Sequence, residues 1–284
     1  MNKIITFFSK IFLKHINSQR IIKVFNNYSN NQIKLILRED CFIEKEIELF
    51  GLYGRFEKES LKIWAKLCEV SDTIIDVGAN TGIYSIIAQD MNKSSVVVAI
   101  EPISENVKVL KENIKLNKFD LKIEEVALSD EDGCGIMYMF PGKLNYMTSL
   151  DQNRYDLHPE IKGDNEVVEV NVKKLTFGTI LEKYNLHKID LIKIDVEGHE
   201  INVLYSIENY ISNFLPSILI EVIGDEHANK INDFFKKFSY NIIQINEETI
   251  SKKVDKITDN NHHNYLLCNS RMLELLIKQN LVII

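Results

Sequence analysis

Residues 73–90 read TIIDVGANTGIYSIIAQD. An apolar strand, Thr73 to Val77, runs into a glycine-rich bend, and a helix begins just beyond it. That order opens a βαβ unit. Such units build parallel sheets that bind ligands beyond the carboxyl ends of their strands. The pattern repeats downstream. Strand SVVVAIEP precedes helix SENVKVLKENIKLN, strand LKIEEVAL comes next, and an irregular stretch extends to about Val172. Helix TFGTILEKYN, strand IDLIKID, helix EINVLYSIENYI, strand SILIEV, helix EHANKINDFFKKF and strand YNIIQIN then alternate. Strand NYLLCN and a terminal helix close the chain. Continuous Val/Ile/Leu strands between helices predict an α/β fold with a mostly parallel sheet covered on both faces. The last two strands, joined by a loop, predict an antiparallel edge.

Upstream of Asp72 the expectation is an accessory region. It comprises a basic helix, a strand at IKLILRED, a second strand at CFIEKEIEL and, after GLYGRF, the helix EKESLKIWAKLCEV. The organisation read from sequence is therefore 1–71 accessory, 72–270 main domain and 271–284 C-terminal helix. A chain of 284 residues can bury one sizeable core. Hydrophobic residues at 45% and charged residues at 26% place it among globular proteins.

The net charge of −7 argues against a generic polyphosphate surface and against nucleic acid as partner. Yet Met1 to Arg38 holds seven basic residues and no acid, with Ile4, Ile5, Phe7, Phe8, Ile11, Phe12 and Ile16 at helical spacing. Such a helix suits peripheral contact with an anionic inner-membrane surface, or packing on the domain or a second subunit as a homodimer. No apolar run approaches the ~20 residues of a membrane span, and no secretory signal is evident. Cys41, Cys68, Cys134 and Cys268 form no CxxC pair, which fits a reduced, cytoplasmic setting.

In DVGANTG, a dinucleotide fingerprint would need glycine at positions 78, 80 and 83, where the chain has Gly78, Asn80 and Ile83. No G-K-[ST] follows, so a P-loop is excluded as well. Asp76 ends the first strand, where it would repel a pyrophosphate but suit a ligand carrying positive charge. Glu101 ends the second strand and can accept hydrogen bonds from both hydroxyls of a ribose. With the turn glycines Gly78 and Gly82, these acids fit an adenosine ligand with a cationic tail, as in S-adenosylmethionine. Both glycines also suit an ordinary turn, and Glu101 a solvated strand end.

The second dense signal is IDLIKIDVEGHEINVL, Ile189 to Leu204. Its strand ends in Asp195, on the same rim as Asp76 and Glu101. Glu197 and Glu200 stand where a helix starts, which also permits a capping role. His199, in that first turn, is either a base or a hydrogen-bonded turn residue.

The succession DVGANTGIYS, AIEP, VALSDEDG, SL at Ser149–Leu150, IDLIKIDVEGHEINVL and PSILIEV resembles the FkbM family of S-adenosylmethionine-dependent methyltransferases over roughly Asp72 to Glu248. KIDVEGHE is the most diagnostic piece. One departure is Leu175-Thr176, where the family usually has Leu-Asp; threonine can also cap a helix. The resemblance implies a seven-stranded, Rossmann-like class I methyltransferase fold. It points to Asp76, Gly78, Asn80, Gly82 and Glu101 for the cofactor, with Ala127, Leu128 and Ser129 lining the adenine. Asp195 and Glu197 would lie nearest the methyl group and the acceptor, with His199 beside them. Family members O-methylate hydroxyls of natural products and of surface polysaccharide sugars. The expected partner is thus a small-molecule acceptor, a carbohydrate for surface glycan or else a polyketide or other secondary metabolite. A divalent metal held by Asp195 and Glu221 is an alternative way to activate the hydroxyl. The loop Gly142 to Gly163, rich in Asn, Tyr and His, is the expected element for acceptor recognition. The non-enzymatic alternative is a membrane-associated binding protein that keeps the fold.

Overall fold

The computed structural model describes residues 20–38, 41–139, 148–150, 167–259 and 263–284. The expected N-terminal basic helix lies for the most part outside the described residues, as does most of the Gly142–Gly163 loop. The chain opens with β1 (Arg20–Asn26) and β2 (Asn31–Leu37), an antiparallel hairpin. The main sheet takes β3 (Thr73–Val77), β4 (Val96–Ile100) and β5 (Lys122–Glu124). Next come β6 (Ala127–Leu128), β7 (Gly133–Met139), β8 (Thr148–Ser149) and β9 (Val168–Leu175), which form a separate four-stranded sheet. β10 (Leu191–Ile194), β11 (Ser217–Glu221), β12 (Asn241–Gln244), β13 (Ser251–Val254), β14 (Asn264–Cys268) and β15 (Val282–Ile283) complete the main sheet.

The strand order of the main sheet is β15-β13-β12-β14-β11-β10-β3-β4-β5. β5, β4, β3, β10 and β11 run parallel, and β14 is antiparallel to both of its neighbours, β11 and β12. This is the class I methyltransferase arrangement, extended at one edge by the short β13 and β15. β14 is inserted between β11 and β12, and the edge strands β13 and β15 also run antiparallel to β12, as an antiparallel edge requires. From β3 the chain winds outward through β4 and β5, then returns to β10 on the other side of β3. The order reverses between β3 and β10, which opens a crevice at their carboxyl ends.

Alternation along these strands supplies the two cores. Ile74, Val97, Ala99, Leu191 and Leu219 face the helices Lys58–Cys68, Ile83–Met91 and Ser104–Asn117. Ile75, Val77, Val98, Ile192, Ile194 and Ile218 face the helices Phe177–Tyr184, Glu200–Phe214 and Asp225–Phe235. Two charged groups interrupt the first face. Asp76 and Lys193 are cross-strand neighbours in register and are both buried.

The N-terminal hairpin is tied into the first core. Ile22, Val24, Ile33 and Leu35 are buried there, and the Asp90 carboxylate accepts from Asn26 at 2.8 Å, from Asn31 at 2.9 Å and from Ser29. Asn113 and Asn117 accept from the backbone N–H groups of Ile36 and Lys34 at 2.7 and 2.9 Å.

Four sequence expectations need correction, the first being the C-terminal helix expected over 271–284, which is the helix Ser270–Lys278 followed by β15. CFIEKEIEL contains the helix Phe42–Phe50, not a strand. Its Ile/Glu alternation suggests period two, but Glu, Lys and Leu are good helix formers, and the buried Glu44 and Ile47 lie one helical turn apart. LKIEEVAL is two strands in two sheets, because the chain turns at Glu125–Val126 to leave β4 for β9. The stretch up to Val172 holds most of the second sheet. Both β7 and β9 bury few residues, so their alternation is diluted by exposed positions. At the departure from the family pattern, Thr176 caps its helix by accepting from Thr179 N–H at 3.3 Å. A carboxylate is supplied there from elsewhere: Asp132 accepts from Thr176 N–H at 2.6 Å and from Thr179 Oγ1 at 2.7 Å. No helix among the described residues is long and apolar enough to cross a membrane.

Candidate active site

A cavity opens over the carboxyl ends of β3, β4, β10 and β11 and brings together most of the residues singled out in sequence. Gly78, Asn80, Glu101, Ala127, Leu128, Asp195, Glu197 and His199 all line it. Asp76, Gly82 and Ser129 do not. Each has a neighbouring role.

The bend after β3 is built by backbone constraint. Gly78 has φ +79°, and a Cβ there would sit 1.8 Å from the Asp195 carbonyl oxygen. Only glycine lets the end of β3 pass this close to the end of β10. The N–H groups of Gly78 and Ala79 both donate to Ile100 O, at 2.9 and 3.0 Å, which folds the bend over β4. Gly82 serves packing instead, since a Cβ there would meet Leu110 at 2.2 Å. Asp76 lies below the bend, fully buried, accepting from Ser85 Oγ at 2.6 Å. Burial pushes its carboxyl up, and the nearby Lys193 ammonium opposes that. It shapes the field under the bend rather than the cavity wall.

Glu101 is held more tightly than a strand-end acid usually is. Its carboxylate accepts from Asn80 N–H at 2.9 Å, Ile103 N–H at 3.0 Å and Asn106 at 3.2 Å. Burial pushes its carboxyl up to about 6, against the pull of those three bonds. A carboxylate has about four lone-pair sites, so acceptor capacity remains for a ligand hydroxyl. The sign of the pH effect follows. A carboxyl raised from 4.5 to about 6 costs the folded state stability as pH rises through that window. Binding that needs the ionised form weakens as pH falls below the folded value. Affinity for an adenosine ligand should therefore decline below about pH 6, by at most tenfold per unit. Calorimetry from about pH 5 to about pH 8 checks this; a flat profile there would contradict the role given to Glu101.

Beside Glu101 the wall is apolar. Pro102, Val126, Ala127, Leu128, Met137 and Leu150 form it, the last four from the region of the second sheet. That surface suits a planar base. Ser129 turns away from it, with Oγ 3.0 Å from His199 Nε2 and 3.0 Å from Asp130. This contact joins the β6 end to the start of helix Glu200–Phe214 and occupies the imidazole nitrogen that faces Ser129.

The opposite end is acidic. Ile194 pairs with Ile220 in the β10–β11 ladder, so the next residues, Asp195 and Glu221, stand side by side at the strand ends. Glu197 follows in a strained turn with φ +54°, and Glu200 fixes that turn by accepting from Val196 and Gly198 N–H at 3.2 and 3.0 Å. Glu200 is thus structural, as the capping reading allowed. Ligand oxygens of Asp195, Glu197 and Glu221 lie within 4.8 Å of one another and could hold a cation. Burial, and then the charges of Asp195, Glu197, Glu200 and Glu57, push the Glu221 carboxyl well above the usual range.

Lys193 is the ammonium in this cavity wall. It donates to Asp195 Oδ2 at 2.7 Å and lies 4.4 Å from the centre of the Tyr84 ring. Burial alone would drive it toward neutrality, but Asp195, Asp76 and Glu57 outweigh that and hold it charged. Tyr84 in turn donates to Glu57 at 2.6 Å.

Sequence reasoning missed Lys193, Tyr84 and Glu57. A lysine inside the buried apolar strand LIKI is itself a signal, because such a charge needs partners. Glu57 gives no such signal; it precedes the helix Lys58–Cys68 and joins the cavity only through the fold. Phe42, Ile43 and Phe56 from the same N-terminal region add an apolar wall.

The cradle at Gly78, the carboxylate at Glu101 and the acids at the far end suit S-adenosylmethionine: ribose hydroxyls at one end and positive charge at the other. The match to a family model agrees. Residues 76–242 match the model of the methyltransferase FkbM domain. Methyltransferase 1 of Beauveria bassiana (strain ARSEF 2860) is 26% identical over 214 residues, covering 70% of this chain and 78% of that protein. Among solved structures, methyltransferase FkbM from Methylobacillus flagellatus KT superposes with a TM-score of 0.43 at 15% identity, covering 69% of this chain and 43% of the other. A Pyrococcus abyssi tRNA (uracil-54, C5)-methyltransferase, in complex with S-adenosyl-L-homocysteine, gives 0.45 at 10% identity, covering 87% and 43%.

Proposed function

Because the chain belongs to the FkbM family of S-adenosylmethionine-dependent methyltransferases, we propose that it methylates a hydroxyl of a small polyhydroxylated acceptor, a sugar or nucleotide sugar destined for surface glycan. The supporting observation is the row of carboxylates, Asp195, Glu197 and Glu221, at the end of the cavity away from Glu101. Carboxylates accept hydrogen bonds from hydroxyls and can take a proton from one of them.

When bound, the donor supplies an electrophilic methyl group: the acceptor oxygen bonds to carbon as the C–S bond breaks and its electron pair returns to sulfur. No acid is needed for the leaving group. Glu101, Asn80 and the wall around Leu128 hold the adenosine, and the acid end holds the acceptor. Alignment of this kind can supply about 7–11 kcal/mol of barrier reduction. Asp195 or Glu197 takes the hydroxyl proton as the O–C bond forms, which contributes about 10²–10⁴-fold. Asp195 has one oxygen engaged by Lys193.

Glu197→Gln and Asp195→Asn should each lower turnover by about 10²-fold or more while leaving donor affinity within about threefold. Single-turnover kinetics with calorimetry in parallel make the check. Turnover unchanged in both variants removes the proposed base.

Phe42, Ile43 and Phe56 favour a second reading, in which the acceptor is a hydroxylated polyketide or similar metabolite with an apolar face. Aromatic walls also stack on sugar faces. Mass shifts of +CH₂ on nucleotide sugars, set against hydroxylated macrocycles, separate the two.

A further inference from the structure

The N-terminal hairpin and the helix after it expose apolar side chains that neither core absorbs. Along β1, Ile22 and Val24 are buried, while Ile21, Lys23 and Phe25 stand on the outer face. Their in-register partners on β2 are Ile36, Lys34 and Gln32, so two lysines lie directly opposite one another. Like charges in that position repel, and no Asp or Glu occurs from Arg20 to Leu37. The helix Phe42–Phe50 repeats the pattern. Glu44, Glu46 and Ile47 are buried, and Phe42, Lys45 and Leu49, three and four residues apart, form an outward stripe in which Leu49 is 70% exposed. Arg20 pairs with Glu48, so Ile21 and Leu49 flank one ion pair and the two rows adjoin. The acids of this helix are engaged: Glu48 by Arg20, Glu46 by Arg55 at 3.2 Å and Glu44 by Thr81 at 2.7 Å. The charges interleaved with the exposed apolar residues are therefore ammonium groups. We propose that this face docks on an anionic lipid bilayer.

Charge decides among the occupants such a face could have. The residues preceding Arg20 carry Lys3, Lys10 and Lys14 and no acid, so laying them over Lys23 and Lys45 would set like charges together. A second copy would do the same across a two-fold interface, where each patch meets itself. An anionic bilayer complements both the face and the segment before it. Its headgroups meet the ammonium groups, while Ile21, Phe25, Leu49 and Phe50 enter the boundary with the acyl chains. The segment before β1, whose apolar residues recur at helical spacing, leads directly into this face and adds basic and apolar groups of the same kind. Phe42 also lines the active-site cavity, so docking sets that wall of the cavity at the headgroup level. The surface does not depend on the methyl-transfer reading.

The test is co-sedimentation of the full-length protein with vesicles of equal parts phosphatidylglycerol and phosphatidylcholine, and with vesicles of phosphatidylcholine alone. Binding to the anionic vesicles is expected, weaker by about tenfold or more on the neutral ones and falling as salt rises from about 0.1 M to about 0.5 M. Leu49→Glu and Phe25→Glu should each weaken it by about tenfold. Ile250→Glu, at an exposed apolar residue in the turn before β13, should leave it unchanged. Circular dichroism melts verify that each variant is folded. No binding to anionic vesicles overturns the proposal. So does binding unchanged in both folded variants, which would assign it to the residues before Arg20 alone. A dimer in size-exclusion chromatography that Leu49→Glu dissolves, without vesicle binding, would put a second copy on this face and overturn the bilayer.

Discussion

Gly78→Ala should abolish donor binding while leaving the rest of the fold recognisable. The added Cβ would lie 1.8 Å from the Asp195 carbonyl oxygen, a backbone atom held by the β3–β10 ladder. Relief requires the ends of β3 and β10 to part, at the crevice where the ligand sits. Positive φ adds about 1–2 kcal/mol for any L side chain. Donor affinity is expected to fall at least 100-fold, about 2.7 kcal/mol, with a stability loss of similar size. Gly224→Ala separates the two causes. Its φ is +88°, but nothing lies within 4 Å of its Cβ position. It should show the conformational cost alone and bind donor normally. Calorimetry and urea unfolding of both variants make the comparison, and equal donor affinities would contradict the close-approach account.

Lys193→Met should be the most destabilising single change in the cavity. The ammonium is buried among Asp195, Asp76 and Glu57, and its removal leaves those carboxylates facing one another without a cation. Breaking such a buried arrangement costs about 3–5 kcal/mol. The wild-type contribution follows the sign for a raised base. It is fully present below the ordinary lysine value of 10.5 and is lost only as pH climbs through the still higher folded value. The deficit of the variant should be largest near neutrality and shrink in acid, where protonation of the orphaned carboxylates removes their repulsion. Lys230→Met is the surface control. Its pair with Glu226 at 2.7 Å joins two well exposed side chains, and solvent screening leaves pairs of that kind little effect on stability. Urea unfolding near pH 7 and near pH 5 gives all the required values; a Lys193→Met deficit equal to the control would refute the buried network.

How much of this was legible in sequence depends on where each residue finds its partner. β3, β4 and helix Ser104–Asn117 were readable because their periodicity is strong and their neighbours are near in sequence. The strand-end acids Glu101 and Asp195 followed from topology, since parallel strands place their carboxyl ends on one rim. Asp76 shows the limit of that reasoning. Its position at the strand end was right, but alternation turns it under helix Ile83–Met91, where Ser85 takes its carboxylate. β7 and β9 bury only one face thinly, so their pattern was weak. Glu57 and Phe42 reach the cavity from far upstream in the chain, by tertiary packing that no local pattern encodes. The helix Phe42–Phe50 was misread because isolated Ile/Glu alternation does not distinguish period two from period 3.6 over nine residues.

The central claim is that the rim at Gly78 and Glu101 seats S-adenosylmethionine. Calorimetry of that donor against wild-type protein and Glu101→Gln at about pH 7.5 tests it most directly. One donor per chain is expected for wild type, with affinity at least tenfold weaker in the amide variant. No heat of binding to folded wild-type protein, or equal affinity in the two, would contradict the account.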